Sequence, residues 1–157
     1  MMELEKIYRG MENGAETIQS NFSTIEKKVE ENIVDIDKNT KLFTKSLLIT
    51  DNSYYSEGRF TFKRIGQVVT LSIIITLKGK AEWQTILPKD AFPNGFLPIA
   101  NADIAGPLSS NSHVGSFANI YMNNAGLRII TNGSLNSDQL QGSYTYITDQ
   151  KFPVIES

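Results

Sequence analysis

The sequence predicts a mainly β protein: an N-terminal α-helical coiled-coil stalk that assembles as a trimer, followed by an antiparallel β-sandwich or jelly-roll-like head. Three observations carry this. Residues 15–37 hold a heptad stripe on an otherwise polar segment. From Tyr54 onward the hydrophobic period changes to two. Short strand-like runs are then separated by turn signals, and no helical period recurs after residue 40. The expected division is a docking segment at 1–13, a helical stalk at 14–38, a connector at 39–53 and a β head at 54–157.

The stripe is Ile18, Phe22, Ile25, Val29, Asn32 and Ile36, with Phe22, Val29 and Ile36 at a and Ile18, Ile25 and Asn32 at d. Its surroundings are polar: Glu16, Gln19, Glu26, Lys27, Lys28, Glu30, Glu31, Asp35 and Asp37. An amphipathic helix can lie on its own domain's core, but here it precedes β structure, so a parallel bundle of several copies is the economical reading. β-branched residues at both a and d favour three strands over two, Phe22 needs more room than a dimer gives, and Asn32 reads as a register pin. Asn13 through Glu16 reads as a capping box, with the carboxylate of Glu16 in the first turn. About 23 residues make a rod of roughly 35 Å. Three heptads are a weak oligomer, so the head must supply the rest of the interface.

In the head, Gly58–Ile65 alternates, with Phe60, Phe62 and Arg64 divided between the sides of the pleat. Val68–Leu77 is dense in β-branched residues, and Ile73, Ile74 and Ile75 imply burial on both faces. Further strands are expected at 81–87, 99–105, 114–122, 127–131 and 143–148. Pro88, Pro93 and Pro98 mark an irregular loop across the end of the barrel or sandwich. Asn123, Asn124, Ala125 and Gly126 form a hairpin loop, with Gly126 free to take positive φ.

A chain of 157 residues supports a stalk plus one core. It has no Cys and one His, which excludes disulfides, thiolate metal sites and His-rich zinc sites. Its net charge of −2 and the lack of a basic cluster beyond Lys27 and Lys28 argue against nucleic acid. The start lacks an apolar signal segment, and Val68–Leu77 is too short to span a bilayer, so no membrane association is expected. A cytoplasmic product that leaves by lysis or within a larger particle fits.

No catalytic motif assembles: no phosphate loop, no HExxH, no Ser in a GxSxG setting. Asp51, Glu57, Glu82, Asp90, Asp103, Asp138 and Asp149 are scattered carboxylates that could pair for glycoside hydrolysis, but such scatter is ordinary. The expectation is a protein that is not an enzyme and carries no metal or cofactor. His113 lies in a loop opening a strand, where it is either simply exposed or a ligand contact. Trp83, the only Trp, is either core or a sugar-stacking face. Tyr144 and Tyr146, on one face of the last strand, pose the same choice.

The run from Lys6 through Ile18, continuing to Phe22, resembles the N-terminus of the baseplate receptor-binding proteins, or lower baseplate proteins, of tailed siphophages that infect lactic-acid bacteria. A second stretch, Asn119 through Leu127, resembles a hairpin of the head in that family. The resemblance implies a protein of the virion tail baseplate that docks a baseplate scaffold protein through residues 1–14, where Tyr8, Arg9 and Met11 lie. It also implies a homotrimeric three-helix bundle and a β head that binds host cell-wall saccharide. Where the family carries His and Asp before the hairpin, this chain has Asn119 and Tyr121. Where the family carries Arg, it has Gln139, ahead of Gly142, Ser143 and Tyr144. The expected saccharide site is therefore Asn119, Tyr121 and Gln139, with His113 and Trp83 as further members. The alternatives are a tail-borne polysaccharide hydrolase and a structural spike without ligand.

Overall fold

The structure, a computed structural model, describes residues 4–7, 10–50, 53–111, 115, 117–133 and 138–153, apart from the side chain of Lys38. The chain divides into two compact units, Met1–Thr40 and Lys41–Ser157.

The first unit is one helix, α1 (Gly14–Thr40), with a short arm before it. The first turn is closed by Thr17, four residues after Asn13. Its backbone N–H and its Oγ1 each donate to the Asn13 carbonyl at 3.0 Å. Asn21 fixes the arm through both ends of its amide, accepting from the Glu5 N–H at 3.0 Å and donating to the Glu5 carbonyl at 2.9 Å. The heptad stripe stands in solvent along the helix, with Ile18, Phe22, Val29 and Ile36 between 42% and 59% exposed. Tyr8 and Arg9 lie outside the described residues.

The second unit is mainly β. Its strands are β1 (Phe43–Thr50), β2 (Tyr55–Ile65), β3 (Val68–Leu77), β4 (Gln84–Pro88), β5 (Ile104–Ser110), β6 (Phe117–Asn123), β7 (Gly126–Thr131) and β8 (Gln139–Ile147). They form an antiparallel eight-stranded sheet in the order β1-β2-β3-β8-β5-β6-β7-β4, curled into a half-barrel. The mainly β, antiparallel head expected from the sequence is present, with its strands running as one continuous sheet. Its two halves are joined through a short β5–β8 ladder, Ser109 opposite Gln141 and Ser110 opposite Leu140.

Three expectations are corrected. The connector at 39–53 contains strand β1, which pairs with β2 along its whole length. The fifth strand lies at Ile104–Ser110 rather than 99–105 and includes Pro107. Proline is tolerated there because Pro107 pairs only with Asn119 of β6, at a point where β8 has not yet joined. Phe60, Phe62 and Arg64 share one buried face, as a period of two requires.

The inner face carries the core. Phe60, Phe62, Leu71, Ile73 and Ile75 from one half meet Leu108, Ile120, Met122, Leu127 and Ile129 from the other, all fully buried. Ile74 is only half-buried, on the outer face, so burial of both faces of β3 does not hold within the single chain.

The proline-flanked loop is the plug of this core. Phe92, Phe96 and Leu97 are buried, and a buried loop must satisfy its backbone without a ladder. Side chains from the sheet and the C-terminal segment do this. The Gly95 and Leu97 N–H groups donate to Gln150 Oε1 at 2.9 and 3.0 Å, the Phe96 carbonyl accepts from Tyr146 Oη at 2.5 Å, and the Gly95 carbonyl accepts from Arg64.

Tyr144 and Tyr146 both face inward, Tyr146 buried in the core and Tyr144 half-buried against it. Burial pushes the Tyr144 hydroxyl up to about 12 and raises that of Tyr146 as well. A phenol whose folded pKa is raised adds stability that is complete below the unfolded value of about 10. That stability is lost as the pH climbs from there through about 12. Tyr144→Phe should therefore flatten the alkaline unfolding curve between pH 10 and 12 while costing only about 1 kcal/mol at neutral pH, the worth of its 2.6 Å bond to the Pro107 carbonyl. Chemical denaturation at a series of pH values checks this, and an unchanged alkaline slope would refute it.

Candidate functional site

The outer face of the β5-β6-β7-β4 half holds the residues of interest. Alternation along β6 turns Asn119, Tyr121 and Asn123 outward while Ala118, Ile120 and Met122 enter the core. The register places Ala105, Tyr121, Arg128 and Thr85 in adjoining rows of β5, β6, β7 and β4, and Asn119 between Pro107 and Ile130.

Trp83 precedes β4 and stands against this face. Its ring meets Tyr121 edge to face, with centroids 6.3 Å apart and planes at 87°. It is 49% exposed, so it is not the core residue a lone strand Trp usually is. Its φ of +56° is a left-handed conformation that a bulky side chain rarely adopts. The segment is held there by Thr131, whose N–H donates to the Ala81 carbonyl and whose Oγ1 accepts from the Ala81 N–H, both at 3.0 Å. The Glu82 N–H donates to Gln84 Oε1. Residues held in sparsely populated backbone conformations cluster at functional sites.

Tyr121 is oriented from both sides. Its hydroxyl donates to Asp103 Oδ1 at 2.5 Å and accepts from Asn123 Nδ2 at 3.4 Å, while Asn123 Oδ1 accepts the Ala125 N–H at 2.9 Å. The hydrogen bond to Asp103 raises the Tyr121 pKa, and Arg128 opposes that shift. The result is an exposed aromatic corner, Trp83 and Tyr121, rimmed by a carboxylate, a guanidinium and the amides of Asn119 and Asn123. Aromatic faces take the apolar side of a pyranose, and planar acceptors and donors bond its vicinal hydroxyls. Among the described residues no three His, Asp or Glu side chains are grouped to hold a metal ion.

The structure therefore brings together Asn119, Tyr121 and Trp83. It does not bring Gln139 to them within one chain. Gln139 lies opposite Asn111, whose Nδ2 donates to Gln139 Oε1 at 2.7 Å, whereas Tyr121 lies opposite Ala105. Six residues of strand separate the two rows, about 20 Å at the usual rise. His113 lies outside the described residues. Two charged members were missed, Asp103 and Arg128. Arg128 was legible, because counting outward from the Asn123–Gly126 pair puts it opposite Tyr121. Asp103 was not, because the loop that carries it reaches Tyr121 only through the β5–β6 pairing.

A second depression, of about 1030 Å³, lies over the inner side of β1, between Phe43, Lys45 and Leu47 and the segment Gln150, Lys151 and Phe152. It holds an edge-to-face pair of its own, Phe43 and Phe152, with ring centroids 4.8 Å apart. No protein-family model matches this chain, and no curated protein sequence does.

Proposed function

We propose that this chain is a phage attachment protein: a homotrimer whose α1 helices form a coiled-coil stalk, whose curled, jelly-roll-like head binds host cell-wall saccharide, and whose residues 1–14 dock a baseplate scaffold protein. The observation that carries the binding role is the exposed, backbone-strained Trp83 set against an oriented Tyr121 and rimmed by Asp103, Arg128 and Asn119. The stalk is supported by the solvent-facing heptad stripe, and the phage setting by the resemblance at Lys6–Phe22. A shallow site of this kind binds one sugar weakly. Three heads per stalk and many stalks per particle turn weak contacts into firm attachment.

The test is inhibition of phage adsorption by the purified chain, together with titration of host-wall saccharide. Tyr121→Ala and Asn119→Ala should each weaken binding about tenfold, or 1.4 kcal/mol, with the oligomer intact by native mass measurement. Equal inhibition by wild type and variants would move the site elsewhere. Release of reducing ends from purified wall would favour a hydrolase, and absence of any saccharide binding a structural spike.

A further inference from the structure

The opposite half of the sheet presents a second organised surface. On the outer face of β1, β2, β3 and β8 the register sets side chains in rows of four. At one end Ile65, Val68 and Ile147 stand opposite one another, and Leu42, just before β1, continues the row. All four are exposed, between 46% and 55%. The next rows are Thr44, Lys63, Thr70 and Thr145, then Ser46, Thr61, Ser72 and Ser143. Their hydroxyls bond to each other across strands: Ser46 to Thr61 at 3.4 Å, Thr70 to Thr145 at 3.3 Å, Ser72 to Ser143 at 3.3 Å. A fourth row holds Leu48, 61% exposed, and half-buried Ile74. The charged residues of these rows are Lys63 and Arg59, the latter joined at 3.4 Å to Glu57 of the row beyond.

A solvated sheet face is ordinarily studded with Lys and Glu. This one is poor in charge, apolar at one margin, and centred on small hydroxyl side chains that pair across the strands. Depletion of charge with apolar content retained is the compositional mark of the centre of a protein interface. Four strands by about nine residues give a face on the order of 500 Å². A standard interface buries about 800 Å² per partner, so this face supplies more than half of one.

We infer that this face is buried against other copies of the same chain, and that it is the part of the trimer interface which the short stalk leaves to the head. The inference rests on the trimeric reading above. A parallel bundle gathers equal residue numbers around one axis, and Leu42 follows the last residue of α1 by two positions. Two residues of chain reach at most about 7 Å. Assembly of the helices therefore holds Leu42 of every copy within about that reach of the bundle's end. The saccharide corner belongs to the other half of the sheet and stays open.

The chain has no cysteine, so a single introduced thiol reports one place. Full-length Val68→Cys, Ile147→Cys and, as an exposed control, Lys89→Cys are brought to native mass measurement and to maleimide labelling, with rates normalised to the unfolded chain. The expected result is a trimer in which positions 68 and 147 label at least tenfold more slowly than 89. The half-exposure of Val68 and Ile147 within the single chain means that slow labelling cannot come from the fold of one copy. A trimer whose three positions label alike overturns the inference and leaves the trimer standing. A monomer overturns the trimeric reading and the inference together.

Discussion

Arg64→Ala should lower the stability of the β unit by about 3 kcal/mol and its melting temperature by roughly 10 °C. Arg64 is 3% exposed and sits on the core side of β2. Its guanidinium donates to four carbonyls: Gly66 at 2.7 Å, Gly95, Lys151 at 3.2 Å and Gln150 at 2.9 Å. It also lies 4.6 Å from the centre of the Phe152 ring. Burial lowers its pKa, yet a guanidinium remains cationic at neutral pH. Charge-assisted bonds contribute about 1.5–3 kcal/mol each in isolation. Their sum overstates the loss, because water entering the vacated space would solvate part of the carbonyl set. What alanine removes is a group that ties the plug loop and the C-terminal segment to the sheet at the same time. Arg64→Lys should recover only part of the loss, since an ammonium cannot span carbonyls on three segments. Urea denaturation followed by Trp83 fluorescence reads both, and a loss under 1 kcal/mol for Arg64→Ala would refute the role.

Trp83→Gly should separate binding from folding. Saccharide affinity is expected to fall about 100-fold, or 2.7 kcal/mol, with removal of the stacking face. Stability should change by less than about 1 kcal/mol, because three effects offset one another. Glycine relieves the left-handed backbone, which costs a bulky residue roughly 1–2 kcal/mol. Against that stand the lost edge-to-face contact with Tyr121 and the greater freedom of glycine in the unfolded chain, each about 0.5–1 kcal/mol. Isothermal titration with host-wall oligosaccharide and thermal melting supply the two numbers, the melt read by circular dichroism because the variant lacks Trp. A variant that binds normally would remove Trp83 from the site. One that loses several kcal/mol of stability would make its conformation a requirement of folding rather than strain kept for the surface.

The sequence by itself determined the elements whose pattern is local. The helix was legible because its apolar stripe repeats at heptad spacing, and β2, β3 and β7 because β-branched and aromatic residues recur between turn residues. The hairpin loop was legible from Asn123 to Gly126, and with it the shared face of Asn119 and Tyr121, since residues two apart on a strand point the same way. The plug loop showed in its prolines.

Only the tertiary structure decided what depends on pairing between distant segments. β1 reads as connector because neither face of an edge strand is fully covered, so its alternation of Phe43, Lys45, Leu47 and Ile49 is blurred by Leu48 and the lysine. β5 was displaced because a proline in a strand is excluded only where a partner needs its N–H, and sequence does not say where β8 ends. The role of Arg64 likewise depends on distant segments, since the carbonyls that converge on it belong to residues 95, 150 and 151. The site divides the same way. Tyr121 and Arg128 are neighbours by counting across a hairpin, whereas Trp83, Asp103 and the distance to Gln139 follow from long-range register. A chain pattern encodes which way a side chain points, and the closing of the sheet decides what it meets.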